Sequence, residues 1–154
     1  HRDLHSFPTR RSSDLLEKVL DAARDTARAR HGSVWCVFGC GGDRDAGKRP
    51  LMGAVVSRLA DRVWLTSDNP RGEDPEAILD DVAAGIHGAM VREVNRSAAI
   101  AQAIGAAAAD DVIVLAGKGH ETYQEIRGVR HPFSDLEQAR TALTAWREAQ
   151  EGRA

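Results

Sequence analysis

Three short apolar runs constrain this chain more than any other feature. They are Ser33–Gly39 (SVWCVFG), Arg62–Thr66 (RVWLT) and Asp111–Ala116 (DVIVLA). None alternates polar with apolar residues, so each reads as a strand covered on both faces, as in a mostly parallel sheet. Segments of helical period lie between them. Leu16, Val19, Leu20 and Ala23 form one stripe, and Leu51, Met52, Val55, Val56 and Leu59 form a second. Ile78, Leu79, Val82 and Ile86 form a third, and Ala99, Ile100, Ala103, Ile104 and Ala107 a fourth. Asp74-Pro75-Glu76 has the form of a helix start, and Asn95 is a cap for the next helix. Val91–Val94 is a short strand candidate. Thr122–Phe133 reads as a hairpin turning at Arg127-Gly128. Ser134-Asp135-Leu136-Glu137 is a capping box opening a last helix, with Leu136, Ala139, Leu143 and Trp146 expected to face inward. The fold class is therefore α/β: a Rossmann-like, mostly parallel sheet with helices on both faces and a C-terminal hairpin plus helix.

With 154 residues the chain is long enough for one domain with a real core. Lys and Arg total 21 against 23 Asp and Glu, a net charge of −2, which gives no electrostatic case for nucleic acid or an anionic membrane surface. No apolar run approaches the ~20 residues of a membrane span. His1–Leu15 (HRDLHSFPTRRSSDL) shows no helical or strand period and lacks the apolar segment of a secretory signal. It reads as a non-native or disordered leader, resembling translated adapter sequence at the end of a fragmentary gene, with the domain itself spanning 16–154.

In such sheets ligands bind beyond the carboxyl ends of the strands, and three polar loops fall there. The first, Gly39–Pro50, matches G-x-x-x-x-G-K from Gly42 to Lys48, but Arg49 stands where a phosphate loop needs Ser or Thr. G-x-G-x-x-G fails as well, because Arg44 occupies the third glycine position. The loop reads instead as a polar turn presenting Arg44 to an anion, with Asp43 and Asp45 holding it in place. Cys36 and Cys40, four apart on or just after an extended strand, are about 13 Å apart, beyond disulfide reach, and have no second pair with which to bind zinc. They are read as packing residues. In the second loop, Ser67–Pro75, Arg71 follows Asp68-Asn69-Pro70 and is placed to take a carboxylate, while Asp68 and Asn69 can accept from an ammonium. Together they suit an amino-acid zwitterion. In the third, Gly117–Gln124, two glycines allow close approach of a ligand and Glu121 supplies a second anion. Lys118 and His120 are supporting residues of that loop, Lys118 as readily solvated as touching a phosphate.

FGCGGDRDAGKRPLMG at Phe38–Gly53, DNPRGEDP at Asp68–Pro75 and GKGHETYQ at Gly117–Gln124, in this order and with FSD at Phe133–Asp135, resemble the C-terminal domain of the Mur ligases of bacterial peptidoglycan synthesis. The pattern is closest to the branch that adds meso-diaminopimelate. The resemblance implies a cytoplasmic, ATP- and Mg2+-dependent ligase that forms an amide through an acyl phosphate on a UDP-N-acetylmuramoyl dipeptide. It places the diaminopimelate contacts on Arg44, Asp68, Asn69, Arg71, Gly117 and Glu121, with Asp43, Asp45, Pro70, Lys118 and His120 in support. Arg71 gives the extra carboxylate of diaminopimelate a partner that lysine does not need. No catalytic or metal residue is assigned to this chain, and ATP is expected mainly on a central domain whose G-K-[ST] loop the chain lacks. The chain alone is therefore expected to be inactive. The competing expectation is a stand-alone α/β module that binds an amino acid without catalysis.

Overall fold

The computed structural model describes residues 9–118 and 121–153, with the side chains of 9–12 and 153 left aside. The elements follow in the order α1 (Thr9–Arg30), β1 (Val34–Phe38), α2 (Arg49–Leu59), β2 (Arg62–Leu65), α3 (Pro75–Ala83), β3 (Val91–Arg92), α4 (Arg96–Ala106) and β4 (Val112–Ala116). The hairpin β5 (Tyr123–Ile126) and β6 (Val129–Pro132) and the helix α5 (Asp135–Arg153) complete the chain. A single 3-10 turn, Ala46–Lys48, precedes α2.

Four strands form one parallel sheet in the order β3-β2-β1-β4. Every residue of β1 is buried, so its two faces serve two cores. Val34, Cys36 and Phe38 pack with Leu16, Leu20, Met52, Val56, Ile78 and Leu79 from α1, α2 and α3. Trp35 and Val37 pack with Ala99, Ile100, Ala103 and Ile104 of α4 and with Ala139, Ala142 and Trp146 of α5. The period-two backbone thus sorts one continuous apolar run onto opposite sides, which is why the run carries no polar alternation. Trp35 stacks on Trp64 of β2 with ring centroids 5.4 Å apart.

Local signals in the sequence set the helix ends. Asp74 accepts from the Glu76 N–H ahead of Pro75, and Asn95 accepts from the Ala98 N–H. Ser134 Oγ accepts from the Glu137 N–H at the start of α5. Arg127 and Gly128, with φ of 50° and 79°, make the two-residue turn of the hairpin.

Several expectations are corrected. Leu136 and Leu143 do not face inward: they are exposed, and the buried stripe of α5 is Asp135, Ala139, Ala142 and Trp146. Trp146 sets this rotation by donating its indole N–H to Ala107 O (2.9 Å). Leu51 and Val19 likewise point outward. The third strand is only Val91–Arg92, and Ile86 lies beyond the end of α3 although it still packs on the core. The helix begins at Thr9, inside the stretch read as a leader, and continues through Leu15 and Leu16 without a break. Ser13 is buried there, its hydroxyl 3.2 Å from Met52 Sδ. His1–Pro8, the rest of that stretch, lie outside the described residues, as do Gly119 and His120.

Candidate amino-acid site at the sheet's switch point

From β1 the chain crosses through α2 to β2 on one side, and α4 returns it to β4 on the other. The crevice of a doubly wound sheet opens where the winding reverses, here between β1 and β4. The loops after β2, β1 and β4 are spatial neighbours and meet there.

Their approach is close. A Cβ on Gly42 would lie 1.9 Å from Pro70 O, so only glycine lets the first two loops touch. Gly117, at φ +112°, would place a Cβ 3.1 Å from Gly39 O and 3.6 Å from Asp68 Oδ2. Gly42 N–H donates to Asn69 O (2.7 Å), and the Arg71 guanidinium donates to Gly42 O (2.9 Å). The hairpin joins them: Arg71 N–H donates to Glu125 O (3.0 Å), and Arg127 N–H donates to Arg71 O (2.7 Å). Arg71 sits at φ 52°, a left-handed conformation held by these strand-like bonds.

The second and third loops share one cluster. Lys118 is fully buried. Its ammonium donates to Asn69 Oδ1 (2.8 Å) and Tyr123 O (2.7 Å), and lies 3.2 Å from Asp68 Oδ1 and 3.7 Å from Glu121 Oε1. Asn69 Nδ2 donates to Glu121 Oε1 (3.0 Å), and Asn69 Oδ1 also accepts from the Glu125 N–H (2.9 Å). Asp68 Oδ1 is buried and, among the described residues, has no aligned hydrogen-bond donor. The expectation that Lys118 is as readily solvated as bound to phosphate is thus corrected: it is the hub of the cluster. Asn69 is also recast. Both lone pairs of its carbonyl oxygen are taken internally, so it offers an N–H rather than an acceptor.

Asp43 and Asp45 brace the first loop through its backbone. Asp45 Oδ1 accepts from Gly47 N–H (3.0 Å), and Asp43 Oδ2 from Gly72 N–H (3.4 Å). The Asp43 N–H in turn donates to Glu73. Three first-loop amides are therefore already engaged: Gly47 by Asp45, Asp43 by Glu73 and Gly42 by Asn69 O. Arg44 is exposed at the rim. The structure brings Asp68, Asn69, Arg71, Gly117, Lys118 and Glu121 together, with Pro70 buried beneath them and Arg44 outside the cluster. Cys36 and Cys40 are free thiols pushed up to about 12 by burial, as packing residues should be. Among the described residues no three His, Cys, Asp or Glu side chains converge as a metal site.

Two buried arginines escaped the sequence reading. Arg49 donates to both oxygens of Glu73 (3.1 and 2.8 Å), to Asp81 Oδ2 (2.9 Å) and to Gly41 O (3.2 Å), tying the first loop to the second and to α3. Arg96 pairs with Asp135 at the start of α5 (2.8 and 2.7 Å). It also donates to Ser67 O and Ala116 O, the carbonyls just before Asp68 and Gly117. A signal existed for both. Each arginine continues an apolar stripe by one turn, as Arg49-Met52-Gly53-Val56 and Arg96-Ala99-Ile100-Ala103.

The fold is that of a doubly wound α/β domain, and the chain belongs to the Mur ligase family: residues 12–119 match the model of the Mur ligase, glutamate ligase domain. Among its relatives is the UDP-N-acetylmuramoyl-L-alanyl-D-glutamate–2,6-diaminopimelate ligase of Pseudomonas syringae pv. tomato, 61% identical over 86% of this chain. The protein of the same name from Acidovorax sp. is 59% identical over 84% of the chain. A solved structure of a ligase with that name superposes with a TM-score of 0.79 at 46% identity over 87% of the chain and 28% of its own. The chain spans only about a quarter of these relatives: 27% of the first and 26% of the second.

Proposed function

We propose that this chain is the amino-acid-binding part of an ATP-dependent ligase that joins meso-diaminopimelate to UDP-N-acetylmuramoyl-L-Ala-D-Glu in cytoplasmic peptidoglycan synthesis. In this reading the domain is residues 16–154 together with the preceding turns of α1 from Thr9, which are continuous with it. The observation that carries the proposal is that one short stretch of the second loop holds both Asp68 Oδ1, 3.2 Å from the Lys118 ammonium but without an aligned donor among the described residues, and the Arg71 guanidinium. An amino-acid end brings the matching pair, an ammonium for Asp68 and Glu121 and a carboxylate for Arg71. The Arg71 side chain is 19% exposed, with Glu125 Oε1 4.0 Å from its Nε, and its backbone is fixed by the hairpin. Arg44 at the rim meets a second anionic group, either substrate carboxylate or phosphate. The names of the relatives supply the particular diamino acid.

The residues of this chain bind and orient. Holding one end of the diamino acid by its ammonium and carboxylate positions the amine of the other end, once it has lost its proton, for attack on an activated acyl group, and binding of this kind converts a bimolecular step into an oriented one. ATP and Mg2+ are assigned mainly to the parts of the longer relatives that this chain does not span. Calorimetric titration of the chain with meso-diaminopimelate and with L-lysine tests the reading. The expected result is measurable binding of the first and at least about tenfold weaker binding of the second, because lysine leaves Arg71 unpaired. Equal affinities would overturn the substrate assignment.

A further inference from the structure

Lys118 is the largest charged group in the site that binding of a substrate does not itself require. Its side chain has no exposed surface. Phe133 and Tyr123 wall it in, with ring centroids 5.8 and 5.9 Å from the ammonium. It donates to Asn69 Oδ1 and Tyr123 O, and its charge lies 3.2 Å from Asp68 Oδ1 without an aligned hydrogen bond. A buried ammonium so enclosed stays where it is, because moving would strip a charge of its partners without bringing it to the surface.

Two consequences follow for the groups around it. The first is orientation. Two donors, Lys118 Nζ and the Glu125 N–H, converge on one end of the Asn69 side chain, so that end must be the carbonyl oxygen. The Nδ2 end is thereby turned towards Glu121, which it fixes at 3.0 Å. The second is charge. Asp68 and Glu121 would together present two negative charges to a ligand. Lys118 lies within 3.7 Å of both and cancels one of them.

We propose that Lys118 is a positioning residue that fixes Asn69 as a donor, holds Glu121 through it, and leaves the Asp68–Glu121 pair with one net negative charge, matched to a single substrate ammonium. The orientation half stands on the hydrogen bonds alone. The matching half rests on the amino-acid-binding reading given above, and the test separates them.

In the 154-residue chain without ligand, NMR measures water exchange of the Asn69 side-chain amide in the wild type, Lys118→Met and Lys118→Arg. Lys118→Met is expected to speed that exchange about tenfold or more, with backbone amides of β1 and β4 unchanged, while Lys118→Arg restores slow exchange. Unchanged Asn69 exchange in Lys118→Met overturns the proposal whatever the ligand binding. If Lys118→Met does not fold, Lys118→Leu, which likewise removes the N–H donor with a shorter side chain, is read in its place against the same criterion. The second arm titrates meso-diaminopimelate. Binding that weakens about tenfold in the variant with a loosened Asn69 supports the matching half, and unaltered affinity overturns it. A wild type that does not bind meso-diaminopimelate overturns the matching half together with the amino-acid reading, and leaves the orientation half supported by the first arm.

Discussion

Arg71 concentrates the tension between folding and binding. Its φ of 52° is costly for a non-glycine residue, yet its guanidinium bonds Gly42 O across the two loops and is the proposed partner of a substrate carboxylate. Arg71→Ala is expected to weaken meso-diaminopimelate binding by about 1.5–3 kcal/mol, the worth of a charged hydrogen bond. Arg71→Gly should lose the same affinity while relieving the backbone, so its melting temperature should exceed that of Arg71→Ala. Calorimetric titration and thermal scans of the two variants check both statements, and full affinity in either removes Arg71 from the site. The type of residue at this position was legible from sequence, because only its chemistry was needed. Its partner was not: Gly42 lies 29 positions away, and a loop–loop hydrogen bond has no periodicity to announce it.

At the scale of elements, two arginines fasten the loops to their helices. Arg96 binds the ends of β2 and β4 to the first turn of α5, and both it and Asp135 are buried. Arg96→Ala leaves a carboxylate buried without a partner, which should cost about 3–5 kcal/mol in urea unfolding. Arg96→Met combined with Asp135→Leu should recover much of that loss; a single variant as stable as the wild type would deny the pair its anchoring role. Glu73 gives an acid-side signature. Its carboxyl is held below the usual glutamate range by the Arg49 side chain first and the Asp43 N–H second. A depressed carboxyl contributes stability above its unfolded value and loses it as pH falls through the folded one. The melting-temperature gap between wild type and Glu73→Gln should therefore be present at about pH 7 and close towards about pH 3. A gap independent of pH would show that the Arg49–Glu73 contact does not stabilise the loops by charge. Helix caps and the hairpin turn were readable in the sequence because they are decided within four residues. The inward stripe of α5 was not. Its rotation is chosen by Trp146 bonding to Ala107, 39 positions earlier, and by Asp135 bonding to Arg96. Leucine spacing alone could not see either contact.

At the scale of the molecule, the sheet order β3-β2-β1-β4 puts the loops after β1, β2 and β4 side by side. That order turns three separated motifs into one site. The chain covers about 27% of the length of its diaminopimelate-ligase relatives, and the amides of Gly42, Asp43 and Gly47 in its first loop are already engaged by Asn69 O, Glu73 and Asp45. It is therefore expected to release no phosphate from ATP in the presence of meso-diaminopimelate and the UDP-linked dipeptide when assayed by itself. Turnover above the no-enzyme rate would overturn the assignment of ATP chemistry to the rest of the relatives' length.

The sequence by itself determined the two-sided parallel sheet, the caps, the hairpin and the residue types of the site. Apolar runs, cap residues and glycines act over a few neighbouring positions or through burial, and both leave marks in one dimension. Tertiary structure alone decided that Lys118 is a buried hub rather than a surface lysine, that Asn69 offers a donor, that Arg49 and Arg96 bolt the loops in place, and which side of α5 faces the core. Those outcomes depend on which polar groups meet once water is excluded. A charged side chain is buried only where distant segments supply every hydrogen-bond partner it needs, and the fold brings those partners together.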